Sequence, residues 1–148
     1  MRGVPWILLL LMACSGGGDE PLANQSQVAL TSGPTRFVVW IADTPALRAR
    51  GLMDATEADL AARGDGSIPA MMFVFDVPGF VSFWMRDTEV ALDLAYLDEA
   101  GRIVEIHSLV PLDPTLVPSA VPVAFAFEVA AGTLAAQGIG VGDFIELP

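Results

Sequence analysis

The sequence predicts a mainly β domain, a compact barrel-like or curled sheet carrying two short helices. Three observations lead there. Short β-branched and aromatic runs recur along the chain, Gly and Pro punctuate them, and only two segments open with a helix-capping pattern. The 148 residues include 14 Gly and 11 Pro, enough turn residues to separate many short strands. No internal repeat is visible, and the length suits one domain with one core.

The elements follow in order. Arg2 precedes an apolar stretch, Val4 to Ala13, that ends at Cys14, the only cysteine. The stretch is too short for a span of about 20 residues and fits a signal h-region. Leu11 stands three before the cysteine and Ala13 directly before it, as in bacterial lipoproteins. Residues 1–13 therefore read as a lipoprotein signal peptide, with cleavage before Cys14 and a diacylglycerol thioether on its sulfur. Residues 14–34 read as the lipidated cysteine and a flexible Gly-, Ser- and acid-rich tether, about 25 Å long as a random coil. The domain is expected over residues 35–148.

Arg36–Ile41 is a β-branched and aromatic run. Asp43-Thr44-Pro45 caps a helix leading into Ala46–Arg50. Thr56-Glu57-Ala58-Asp59 opens a second, running to about Arg63, with Asp59 in the place that a capping box usually gives to Glu. Met71–Phe75 and Val81–Met85 read as strands around a Val77-Pro78-Gly79 turn. Val90–Leu97 and Arg102–Val110 flank Asp98-Glu99-Ala100-Gly101, a hairpin signal. Val123–Val129 is a further strand, Thr133–Gln137 is long enough for one helical turn, and Gly138–Asp143 turns into a last strand, Phe144–Leu147.

Seven Arg, no Lys and eighteen acids give a formal net charge of −11. Such a domain is repelled by nucleic acid and by anionic lipid head groups. With Cys14 acylated, no thiol remains for redox or metal chemistry. One His and no regular Asp spacing leave no ordinary zinc or calcium site, and no cofactor motif is present. Gly138–Asp143 lacks the Lys-Ser/Thr ending of a phosphate loop.

Several pieces occur in a fixed order: Arg50-Gly51-Leu52-Met53, Ala70–Phe75, Phe83-Trp84-Met85-Arg86-Asp87-Thr88, Leu92-Asp93, Pro111, Ser119, Pro122, Glu128, Ala131-Gly132 and Gly138-Ile139 with Gly142-Asp143. Together they resemble the bacterial and archaeal family of domain of unknown function 192, from about Arg36 to Leu147. The resemblance implies a small β-rich fold with short helices, members that are often secreted, periplasmic or lipid-anchored, and no established activity. The chain departs from the family pattern in Ala70, in Arg86-Asp87 where Lys-Asn is usual, in Ala91 where Pro is common, and in lacking a second Arg after Met53.

Arg50, Trp84, Arg86, Asp93, Ser119 and Glu128 are the candidate ligand-binding residues. Trp84 and Arg86 share a strand face and could form a platform for a sugar or planar ligand, or pack as a core Trp with a cation over its rim. Asp93 and Glu128 lie in apolar strands and need partners if buried, with Arg50 a candidate. They form either a polar pocket or a buried ion-pair network. A Ser119–His107–Asp93 triad lacks a nucleophile elbow, and Ser119 suits a turn hydroxyl better. The leading expectation is a non-catalytic binding or accessory module of the cell envelope, lipid-anchored outside the cytoplasm, with an envelope glycan or peptide as ligand and no nucleic-acid partner. The alternatives are a small envelope hydrolase using Asp93 and Glu128, and a purely structural domain.

Overall fold

The computed structural model describes residues 22–148. The expected signal peptide, Cys14 and the start of the tether lie outside them. A short 3-10 turn, Leu22–Asn24, leads into a six-stranded sheet, and the expected curled, β-rich domain is what the chain forms. Its strands are β1 (Gln27–Ser32), β2 (Thr35–Ala42), β3 (Ile68–Gly79), β5 (Leu92–Leu97), β6 (Ile103–Leu109) and β8 (Val123–Ala130), in the spatial order β1-β2-β3-β8-β5-β6. Only β2 and β3 run parallel, and their crossover carries α1 (Pro45–Arg50) and α2 (Glu57–Leu60). A separate two-stranded ladder pairs β4 (Ser82–Phe83) with β7 (Val117–Pro118), and α3 (Thr133–Ala136) follows β8.

Local chemistry explains the helices. Thr44 caps α1 by accepting from the Leu47 N–H, with Pro45 in the first turn. At α2 both halves of a capping box form, since Asp59 accepts from the Thr56 N–H at 2.8 Å. The shorter Asp side chain suffices, although α2 stops at Leu60 rather than near Arg63. In the β5–β6 hairpin, Asp98 accepts from the N–H groups of Ala100 and Arg102 at 2.9 and 3.0 Å.

Three expectations are corrected. The domain begins before Thr35, because Gln27–Ser32 is an edge strand paired with β2 from Gln27↔Trp40 to Ser32↔Thr35. Val28 and Ala29 face outward while Leu30 and Ser32 are each 5% exposed, so a half-buried strand hides within a tether-like composition. Val77-Pro78-Gly79 is not a turn. It continues β3, with a register shift against β8 between Val74 and Gly79, and β4 pairs with β7 instead. Finally, Phe144–Leu147 is not a full strand but makes isolated bridges, Arg102↔Phe144 and Thr31↔Glu146. The tail thus touches both edge strands' ends of the sheet, and Ile145 between those bridges is fully buried.

Each face of the sheet carries its own core. On the front face lie Trp40, Met71, Phe73, Leu92, Leu94, Tyr96 and Ala126, packed with Leu52, Leu60 and Met85. On the back lie Phe37, Val39, Met72, Ala95, Leu97, Phe125, Phe127 and Val129, packed with Leu134, Ile139 and Ile145. Burying two faces of one sheet gives this small domain enough apolar contact to fold around strands that are individually short.

Candidate functional site

Glu128 sits near the middle of the front face. One rung of the sheet reads Trp40↔Met71↔Glu128↔Leu94↔His107 across five strands. Its side chain is 4% exposed and hydrogen-bonds to no described residue. Burial alone pushes its carboxyl up to about 8, so at neutral pH it is mostly protonated.

A cleft of about 460 Å³ opens above it, walled by α1 and the segment after it, by Phe73 and Phe75 of β3, and by Val81–Trp84 and Thr88. Arg50 enters at the end of α1. The chain can turn there because Gly51 holds a φ of +52°, and a Cβ on it would stand 3.2 Å from the Phe73 ring. Leu52 then drops into the front core. The Nε of Arg50 is buried without a hydrogen-bond partner, and neither its guanidinium nor Glu128 enters an ion pair among the described residues. Arg48, beside it, is committed to backbone, donating to the carbonyls of Asp43 at 2.9 Å and Val74 at 2.8 Å.

The aromatic wall is built edge to face. Phe83 stands at 90° to Phe73 with centroids 4.7 Å apart, and packs again on Tyr96 at 5.8 Å. The Tyr96 hydroxyl donates to the Val117 carbonyl, tying the β4–β7 flap to the sheet. Trp84 is 42% exposed, with the Arg86 guanidinium 5.5 Å from its ring, which makes it a surface platform rather than a core Trp. Arg86 lies 3.5 Å from Asp87 and is well exposed.

The remaining candidates part company. Asp93 pairs with Val129, one residue on from the Leu94↔Glu128 pair, so it points to the opposite face from Glu128. There it accepts from the Leu134 N–H at 3.3 Å, in the first turn of α3. The Arg50–Asp93–Glu128 cluster therefore does not exist: Arg50 and Glu128 share a cleft, and the sheet separates them from Asp93. The Ser119 hydroxyl accepts from the Val81 N–H at 3.1 Å, and its own N–H donates to the Val81 carbonyl at 2.8 Å, so it staples the flap. His107 lies 2.9 Å from Glu105, whose other oxygen takes the Ala120 N–H at 2.7 Å. Burial pushes the Glu105 carboxyl up, but these hydrogen bonds outweigh it and hold it below its ordinary value. With Ser119 and His107 so engaged and Asp93 behind the sheet, no triad forms.

Sequence reasoning missed Phe73, Phe75 and Thr88 as cleft residues. Period-two alternation from Met71 through Phe73 to Phe75 was the available signal for the first two. The backbone adds another feature. Among the described residues, three non-glycine positions have positive φ: Asp54 (63°), Asp87 (54°) and Leu112 (62°). They adjoin one another at the cleft's rim, for the Asp54 N–H donates to the Asp87 carbonyl at 3.1 Å and the Leu112 N–H to the Thr88 carbonyl at 3.0 Å. Position 87 thus calls for a left-handed backbone, which Asp and Asn both tolerate.

A more open depression of about 430 Å³ lies between Pro78, Pro122 and the β5–β6 turn; its charged lining is Asp98 and Glu99. Among the described residues no group of three His, Cys, Asp or Glu could hold a metal ion. No described helix is long and apolar enough to cross a membrane.

The family model for DUF192, described as "Uncharacterized ACR", matches residues 27–147. The chain belongs to the DUF192 family. The pieces that carried the resemblance, Arg50–Met53, Phe73 and Phe75, Phe83-Trp84, Thr88 and Glu128, are distant in sequence and meet at one DUF192 cleft. Two solved structures are similar to this chain. One, from Sinorhizobium meliloti 1021 and described as "a putative transcription regulator", has 30% identity and a TM-score of 0.71, covering 81% of this chain and 91% of its own. The other, a protein of unknown function from Novosphingobium aromaticivorans DSM 12444, has 31% identity and a TM-score of 0.71, covering 90% and 94%. No curated protein matches the chain.

Proposed function

We propose that this DUF192 protein is a non-catalytic binding module of the cell envelope, lipid-anchored through Cys14 outside the cytoplasm, and that it holds a small ligand in the front cleft. One observation carries the binding reading: Arg50 and Glu128 face the same aromatic-walled cleft, and no described residue is a hydrogen-bond or ion-pair partner to the Arg50 Nε or the Glu128 carboxyl. Leaving two such groups unpaired costs stability, and a bound ligand would recover that cost. The cleft's volume falls within the range of small-molecule sites, about 300–1,000 Å³. The location rests on the Leu11-Met12-Ala13-Cys14 pattern. The formal charge of −11 disfavours nucleic acid as a partner. A hydrolase using Asp93 and Glu128 is not retained, since carboxyls on opposite faces of a sheet cannot serve one bond.

Binding is tested on the purified chain with a panel of envelope oligosaccharides, short peptides and small organic acids, followed by Trp fluorescence and melting temperature. Saturable changes that Trp84→Ala abolishes are expected. A panel that leaves both signals unmoved at millimolar concentration overturns the reading. Mass spectrometry of membrane-extracted protein is expected to find an acylated N-terminal Cys14; an unmodified thiol or cleavage elsewhere refutes the anchor.

A further inference from the structure

Resting on that binding reading, we propose that the cleft takes a carboxylate carried on a planar apolar body. Arg50 is its counter-ion, Glu128 donates a hydrogen bond to it, and Trp84 stacks on the body.

The charge of the ligand follows from the cations at the cleft. Arg48 spends one guanidinium nitrogen on two carbonyls. Arg86 lies over the Trp84 ring and beside Asp87. Among the described residues, Arg50 alone lines the cleft with a buried, unpartnered Nε. Arg48 keeps its charge, but Arg50 is the cation whose N–H donors are left for a ligand, and such a fork matches a carboxylate in geometry.

The hydrogen-bonding character follows from Glu128. It carries its proton at neutral pH, so it offers an O–H, and an ionised oxygen is the acceptor that completes it. The groups around it leave that proton in place. On β3 the neighbour is Met71 and on β5 it is Leu94. Tyr96, diagonal on β5, is itself pushed up by burial and then by Glu105 and Glu128, so it stays neutral. On β6, Glu105 is bound to His107 and the Ala120 N–H. From the covering side come Arg48, Arg50 and Thr88, with Arg86 and Asp87 at the exposed rim.

The shape follows from the rings. Phe73 and Phe83 meet edge to face, Phe75 lies beyond, and Trp84 presents a partly exposed surface at the mouth. A flat apolar group fits between such walls better than a hydroxyl-rich one, which would lose its water without replacement.

Calorimetric titration of the full chain with benzoate, benzamide and acetate, from pH 6 to 9.5, tests this. Benzoate is expected to bind at least about tenfold more tightly than either of the other two. Its affinity should hold steady to about pH 7.5 and then weaken by about tenfold per pH unit as the free protein loses the Glu128 proton. Glu128→Gln should keep neutral-pH affinity within about threefold and abolish the alkaline fall, because the amide still donates. Arg50→Gln should lose at least about tenfold with an unchanged circular dichroism spectrum. His107→Gln, a control on the nearby imidazole, should leave the alkaline fall in place. Equal binding of benzamide, unaltered affinity in Arg50→Gln, or an alkaline fall that persists in Glu128→Gln overturns the proposal. If oligosaccharides or peptides bind at Trp84 while benzoate does not, this inference fails and the binding module stands; if nothing binds, both fail.

Discussion

A carboxyl buried on a central strand, with no partner among the described residues, makes folding depend on pH. Glu128 rises from an ordinary 4.5 to about 8 in the folded protein. Below pH 4.5 both folded and unfolded chains hold the proton, and its burial costs little. As pH climbs from there to about 8 the unfolded chain releases the proton while the folded chain keeps it, so stability falls; above 8 both are ionised and the loss is constant. Glu128→Gln is therefore expected to melt at nearly the wild-type temperature at pH 4. At pH 9 it should be more stable by a few kcal/mol, of order several pKa units' worth. Thermal melts at the two pH values check this, and equal melting at pH 9 would contradict it. Leu112 poses a different residue-scale problem. It is 56% exposed and held at a φ of +62°. A branched side chain there costs about 1–2 kcal/mol that Asn largely avoids. Leu112→Asn should stabilise the protein by up to about 1 kcal/mol in a urea titration.

Among the elements, α3 is the clearest case of a polar residue serving structure. Its N-cap, Gly132, brings no side-chain hydrogen bond, and Asp93 reaches across from β5 to supply one. Asp93→Ala is expected to cost about 1–2 kcal/mol, Asp93→Asn much less, and neither should alter binding in the front cleft on the other side of the sheet. A loss of binding without a loss of stability would contradict that division. This pair of carboxyls also marks where sequence legibility ends. Capping at Thr44 and Thr56 and the turn at Asp98–Gly101 are decided within a few residues, and the sequence discloses them. Alternation places Asp93 and Glu128 on a face of their own strands. Which face they share depends on the register Leu94↔Glu128, a contact between distant segments that no local pattern encodes. The same holds for β1, whose partner β2 makes a strand of a polar stretch, and for Trp84, whose exposure depends on a flap pairing Phe83 with Val117. Arg50, Trp84 and Glu128 were legible as candidates because a charge in an apolar strand and an aromatic beside a cation are local anomalies. Their union in one cleft was not.

At the scale of the molecule, the front core and back core are held on one curved, open sheet whose two edges are bridged by the C-terminal tail. The Ile145 N–H donates to the Gly101 carbonyl at 2.9 Å, and the Glu146 N–H to Thr31 at 2.7 Å. Gly101 has a φ of +81°, and a Cβ on it would lie 2.5 Å from the Ile145 carbonyl oxygen. Gly101→Ala is expected to cost at least about 2 kcal/mol through strain and displacement of the tail. Limited proteolysis should then cut near residue 145 well before wild type, and intact tails at equal melting temperature would refute the link.

That tail has a consequence in time as well as in space. Residues 144–146 bond to Thr31 and Arg102, the neighbourhoods of both sheet edges. Thr31 and Glu146 stand 115 residues apart, so joining them closes a loop as long as the domain itself. Hairpins such as β5–β6 close far smaller loops and are expected to form first, which leaves these long-range contacts to fasten the fold late, as its clasp.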